Sequence, residues 1–184
     1  MTSLQKEQEA GPEHSNKIEE RPMTCIRPAT PEDIPLIYSL IRGLAEYERE
    51  PHSVKITEQE LLRDGFGPDP YYECLIAEEE GHPAGFALYF PIYSTWQGPS
   101  LHLEDLFVRP EFRGKGIGKA LLQAVAAAAM KRGCTRLQWD VLEWNQPAIN
   151  FYNSIGAVML HEWRRMRVTG EALEALAAPN EVSA

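Results

Sequence analysis

The chain has 184 residues, 43% hydrophobic and 24% charged, which is the composition of a globular protein with a sizeable core and excludes a disordered chain. Its 27 acidic and 18 basic side chains leave a net charge of −9, which disfavours a nucleic-acid partner and suits a cationic one. No apolar run reaches the roughly 18 residues needed to span a bilayer, and no apolar leader core opens the chain, so no membrane partner is expected. Three scattered cysteines, Cys25, Cys74 and Cys134, and histidines without ligand spacing predict neither a disulfide framework nor a metal site, and a reducing cytoplasm as the compartment.

Residues 1–22 are polar, with Leu4 and Ile18 as their only large aliphatic side chains, and read as a flexible tail. One domain is expected over 23–178, with 179–184 a frayed end. Its first element is the short extended run TCIRPA. Thr30-Pro31-Glu32-Asp33 then starts a helix, with a hydroxyl N-cap, Pro in the first turn and acids behind it. Ile34, Ile37, Leu40, Ile41, Leu44 and Ala45 continue it at helical spacing to about Glu48. Thr57-x-x-Glu60 is a capping box for a second helix that stops at Gly65-Phe66-Gly67. Tyr71–Glu79 and Ala84–Tyr93 read as a hairpin turning through Gly81-His82-Pro83, and Leu101–Val108 as a third strand. A long amphipathic helix runs to about Arg132, with Ile117, Ala120, Leu121, Ala124, Val125 and Ala128 as its apolar stripe. Thr135–Leu142 reads as a strand, Pro147–Ser154 as a helix, Val158–Val168 as a strand and Gly170–Ala178 as a short helix. Strands first, then alternation with helices, implies an α/β domain with a mixed, mostly antiparallel sheet.

The segment Arg109–Lys119 (RPEFRGKGIGK) sits between a strand and a helix, and places four basic residues in an acidic chain. Gly114, Gly116 and Gly118 let backbone amides approach a ligand, and the following helix offers free N–H groups and its positive dipole end. Together these suit a pyrophosphate. The competing reading is a glycine turn with basic residues on a solvated face. A P-loop is excluded: only three residues separate Gly114 from Gly118, and Ala120 stands where Ser or Thr would bind magnesium. GxGxG is also not the GxGxxG of a dinucleotide fold.

Arg113-Gly-Lys-Gly-Ile-Gly118 resembles the R/Q-x-x-G-x-G/A loop of the GNAT superfamily of acetyl-CoA-dependent N-acetyltransferases. IRPAT, LLRDGFG, YSTWQG, LHLEDLFV and VLEWNQPAINFY extend the likeness from Ile26 to about Trp163, toward the diamine (spermidine/spermine N1-) acetyltransferases and most closely their thialysine branch. The resemblance implies a GNAT fold, acetyl-CoA as cosubstrate without a metal, a small cationic amine as acceptor and a homodimer. It implies that Arg113, Gly114, Lys115, Gly116, Ile117, Gly118 and Lys119 hold the diphosphate. It also implies that the backbone of Leu106, Phe107 and Val108 pairs with the pantetheine arm, and that Asn145, Pro147, Ala148 and Tyr152 meet the cofactor from the later helix.

The reaction so implied is attack of a neutral amine on a thioester. An alkylammonium with a pKa of about 10.4 leaves roughly one amine in two to three thousand neutral at pH 7, a deficit of about 4–5 kcal/mol. A carboxylate that attracts the cation and then accepts its proton offsets this. Glu104 matches the family's glutamate in the LED triplet; strand alternation sets Glu104 and Asp105 on opposite faces. Tyr152 matches the tyrosine that returns a proton to the departing thiolate. Tyr47 and Glu48 match the family's amine-binding pair, with a solvated helix end as the competing reading. Trp96 is read as a pocket wall or a core residue. The diamine enzymes carry an acid where Ser94 stands, so one carboxylate fewer favours a small amino-acid-like amine (thialysine, ornithine, lysine) over a long polyamine. No cysteine serves as nucleophile, and all three are read as packing residues. Acetylation of a protein or peptide amine, and a non-catalytic acetyl-CoA-binding module, are the alternatives.

Overall fold

A computed structural model describes residues 24–178, so the tail expected over 1–22 and the frayed end expected over 179–184 lie outside the described residues. The chain divides into two compact units, 1–140 and 141–184.

The first unit is built on a five-stranded sheet: β1 (Thr24–Pro28), β2 (Glu73–Glu79), β3 (His82–Ser94), β4 (Gly98–Val108) and β5 (Arg136–Gln138), in that spatial order. Pairing is antiparallel from β1 to β4 and parallel between β4 and β5. β2 and β3 are joined by the two residues Glu80 and Gly81, both at positive φ (52° and 77°), the conformation whose twist matches a hairpin. The β3–β4 hairpin is longer than the strand reading from Leu101 implied. It closes at Ser94↔Gly98, where the Ser94 hydroxyl accepts from the N–H groups of Trp96 (3.3 Å) and Gln97 (3.2 Å).

α1 (Ile34–Tyr47) follows a single 3₁₀ turn at Pro31–Asp33, where the Asp33 carboxylate accepts from the Thr30 amide at 2.8 Å. α2 (Glu58–Phe66) carries the expected capping box, with reciprocal bonds between Thr57 and Glu60. Ile34, Ile37 and Leu40 of α1 and Leu61 of α2 bury against Cys74, Ile76, Phe86, Leu88 and Phe107, the side chains of one sheet face. α3 (Ile117–Lys131) buries Ile117, Leu121, Leu122, Val125 and Ala129. Its C-cap Arg132 lies 5.8 Å over the Tyr89 ring, next along β3 from Leu88, so α3 covers the other face.

The register of β3 on β4 contains one irregularity that shapes everything near it. Tyr89 pairs with Leu103 and Leu88 with Asp105, so Glu104 is an extra residue in β4. This is a β-bulge, which bends a strand and ends regular pairing on its far side. Pairing of β4 with β5 stops at His102↔Gln138, two residues before the bulge. The strand expected over Thr135–Leu142 is therefore only three residues long, and among the described residues no strand pairs with the β5-side edge of Leu103–Val108.

The second unit contains α4 (Gln146–Ser154) and α5 (Glu171–Ala177). The strand expected over Val158–Val168 does not form, and its apolar side chains lie open, with Val158 82% and Met166 90% exposed. An apolar run becomes a strand only where another edge takes up its backbone groups, and none pairs with it among the described residues.

Arg27 of β1 ties the sheet to the start of α1. Its guanidinium donates to both Asp33 oxygens (2.7 and 2.9 Å) and to Glu78 (2.8 Å), and the bond from Arg27 holds the Asp33 carboxyl down at about 2. Its stabilisation is present above the ordinary carboxylate pKa and is lost as pH falls through about 2. Asp33→Asn should cost on the order of 1–2 kcal/mol at pH 7 in urea unfolding, with wild type and variant converging near pH 2.

Candidate active site

The bulge decides which side chains meet. Phe90 pairs with His102 and Phe86 with Phe107, so five residues of β3 match six of β4. Phe90 and Phe86 share the α1 face, hence so do His102 and Phe107, an odd number of positions apart. Glu104 shares the face of His102, and its carboxylate lies 3.2 Å from the His102 Nε2. Asp105 shares the face of Phe107. The expectation that Glu104 and Asp105 point to opposite faces is thus corrected, because alternation breaks at an inserted residue.

The result is an acidic cluster at the C-terminal end of α1. Asp105 is pushed up to about 7, first by burial and then by the negative charges of Glu104 and Glu48. Burial also raises the Glu48 carboxyl above its ordinary value. Two carboxylates within electrostatic reach of a third, half-buried one favour a cation beside it.

Tyr47 does not face open space. The Arg113 guanidinium lies 4.6 Å over its ring and 5.7 Å over that of Phe107, and its Nε donates to the Val108 carbonyl at 3.0 Å. The first residue of the glycine turn is thereby fastened to both the end of β4 and the end of α1. Lys115 is anchored as well, with its ammonium 3.9 Å from Glu79 and 5.4 Å over the Phe112 ring. Glu79, only 2% exposed, is a buried carboxylate at the end of β2 that also accepts from the Thr24 hydroxyl at 2.6 Å.

Between these anchors, Gly114 (φ 78°) and Gly116 (φ 84°) adopt left-handed backbone, and a Cβ at either would meet nothing within 4 Å. Only glycine takes that conformation readily, and the space above the turn stays clear for a ligand. Gly116 caps α3, and the helical ladder begins with the Ala120 N–H donating to the Gly116 carbonyl at 3.0 Å. The amides of Ile117, Gly118 and Lys119 precede that ladder at the positive end of the helix dipole. The open edge of Leu106, Phe107 and Val108 leads directly to this turn. An extended amide-bearing arm can pair with that edge while a diphosphate sits at the turn.

Asn145, Pro147, Ala148 and Tyr152 lie together at α4 in the second unit. Asn145 is the N-cap and accepts from the Ala148 N–H at 3.4 Å; the Tyr152 ring sits 5.3 Å from that of Phe151. Trp96 stands apart from the other candidates of the first unit. It is at the tip of the β3–β4 hairpin, 86% exposed, and so is not a core residue; the seven strand residues from Gly98 to Glu104 span roughly 20 Å. Ser94 is buried in that same turn. Among the cysteines, Cys74 and Cys134 are buried, and burial pushes the Cys74 thiol up to about 12, far from a nucleophile. Cys25 is exposed, which corrects its reading as a packing residue.

The Acetyltransferase (GNAT) family matches residues 36–157. The chain belongs to this family. It is 44% identical to the thialysine N-epsilon-acetyltransferase of Bos taurus over 163 residues, covering 83% of this chain and 96% of that protein. It is 33% identical to an L-ornithine N5-acetyltransferase of Arabidopsis thaliana over 202 residues, covering 85% and 89%. Among solved structures, an integron cassette protein from V. cholerae superposes with a TM-score of 0.70 at 28% identity, covering 85% of this chain and 98% of that one. The chain is therefore a GNAT acetyltransferase with the fold its loop motif implied.

Sequence reading passed over His102 and Glu79 at the site, and weighed Asp105 but set it on the face opposite Glu104. His102 was legible, since it stands two positions from Glu104 in LHLED. Asp105 required the bulge, which leaves no mark in residue types, and Glu79 required the fold.

Two outcomes are expected. The fold favours protonated Asp105, so wild-type stability should fall as pH rises from about 4 through about 7. Asp105→Asn should abolish that fall and raise the melting temperature at pH 8, the gain being at most about 4 kcal/mol, as thermal melts across pH would show. Gly116→Ala should weaken acetyl-CoA binding about tenfold or more by calorimetry, since it strains left-handed backbone and sets a methyl in the cleared space.

Proposed function

We propose that this enzyme transfers the acetyl group of acetyl-CoA to a primary amine of a small diamine or amino-acid-like amine. The observation that carries this reading is the gathering of Glu48, Glu104 and Asp105 on one sheet face, beside the edge and turn suited to the acetyl donor. The names of the relatives, thialysine and ornithine acetyltransferases, point to the same class of acceptor.

In this reading Arg113 to Lys119 receive the diphosphate, and the β4 edge at Leu106–Val108 holds the pantetheine as an added strand. One amide of that edge polarises the thioester carbonyl. Glu48 and Asp105 hold the cationic acceptor, and ionised Asp105 is relieved of its burial cost when a cation arrives. Glu104, half-exposed, takes the proton from the attacking nitrogen, directly or through a water. The nitrogen then attacks the carbonyl carbon and the C–S bond breaks. Tyr152 gives its phenolic proton to the departing thiolate; the reference values of about 10 and 8.5 make that transfer reasonable. Acetyl never rests on a cysteine, so the mechanism is sequential. We further propose a homodimer working in the cytoplasm. The exposed aromatics Tyr93 (74%) and Trp96 at the hairpin tip support a second subunit there, and three free cysteines suit a reducing compartment.

A thiol-release assay with acetyl-CoA across diamines, polyamines, lysine analogues and peptides tests this reading. Thialysine, ornithine or lysine should exceed spermine in kcat/KM, and Glu104→Gln should lower kcat by about 100-fold or more. A preference for peptides, or acetyl-CoA binding without turnover on any amine, would contradict it.

A further inference from the structure

Glu104 sits on a bulge, where no ladder partner steadies it, and its side chain is 47% exposed. A carboxylate on a flexible stem is a poor base unless something aims it, because each free rotor dilutes the productive geometry. The side chain placed to do this is one the mechanism has not used. His102 is 6% exposed, stacks on Phe90 with ring centroids 5.1 Å apart, and has a partner at each nitrogen. Its Nδ1 is 3.5 Å from the amide nitrogen of Gln138, the register partner of His102 on β5. Its Nε2 is 3.2 Å from the Glu104 carboxylate. An amide N–H pointing at Nδ1 makes that nitrogen the acceptor, and the neutral ring then carries its hydrogen on Nε2, toward Glu104.

We propose that His102 is a positioning residue: held in one tautomer by Gln138, it fixes the Glu104 carboxylate for proton abstraction from the amine. This inference rests on the reading of Glu104 as the base. The line Gln138–His102–Glu104 links the last paired position of β4 and β5 to the reactive oxygen, so the point where the sheet opens also steadies the base. His102 lies four positions before the acetyl donor's edge at Leu106–Val108, and its two nitrogens face Gln138 and Glu104, so its loss should appear in turnover and not in acetyl-CoA binding.

The test uses His102→Phe, which keeps the ring against Phe90 and removes both nitrogens. At saturating amine, kcat should fall about tenfold while KM for acetyl-CoA stays within about twofold, and His102→Gln, whose amide can still donate to Glu104, should recover most of the loss. In a Glu104→Gln background, His102→Phe should cost no more than about twofold further, because there is no carboxylate left to aim. Equal losses in both backgrounds, or no loss in either, would overturn the role of His102 while leaving Glu104 as the base. Wild-type turnover in Glu104→Gln alone would remove Glu104 as the base, and the role of His102 with it. Should His102→Phe fail to fold by thermal melt, His102→Gln against the shorter His102→Asn decides: equal turnover of the two overturns the inference.

Discussion

One inserted residue governs the site. Regular β4 would alternate its side chains and continue its pairing with β5; with Glu104 as a bulge it does neither. Past the bend no strand among the described residues pairs with the β5 side of Leu103–Val108, and unpaired strand edges bind extended amide chains. The same insertion turns His102, Glu104, Asp105 and Phe107 to one face. An edge for the donor and a set of carboxylates for the acceptor thus arise from a single break in register.

That arrangement works against the stability of the fold. Burial, and then the charges of Glu104 and Glu48, push the Asp105 carboxyl up to about 7. The basic side chains of the glycine turn make their contacts elsewhere. Arg113 spans the Tyr47 and Phe107 rings and the Val108 carbonyl, and Lys115 neutralises the buried Glu79. Both cations belong to the glycine turn, and these contacts set its position. Gly85 shows how closely β3 and β4 approach at this end: a Cβ there would come within 2.4 Å of the Phe107 carbonyl oxygen.

Most of the architecture was readable from residue types. Thr57-x-x-Glu60 capped α2 as written, and the spacing of Ile34, Ile37 and Leu40 found the buried stripe of α1, because these signals are local. The glycine turn was legible for the same reason, and the family match bears out the fold that it implied. What depended on distant pairing was not legible. Thr135–Leu142 has strand composition throughout, yet only Arg136–Gln138 pairs, since β4 bends away. Val158–Val168 has the composition, but no edge among the described residues pairs with it. Asp105 was set on the wrong face because a bulge changes parity without changing residue type, and Trp96 could not be placed because a tip and a wall read alike.

The central claim is that the bulged edge of β4 carries the acetyl donor past the carboxylates that hold and deprotonate the amine. A crystal structure with coenzyme A measures this directly. The account predicts the pantetheine amides paired with the backbone of Leu106–Val108, the diphosphate on the amides of the 113–119 turn, and the sulfur on the side of Glu104 and Asp105. Coenzyme A bound elsewhere, or the edge of Leu106–Val108 occupied by another strand of the protein, would contradict it.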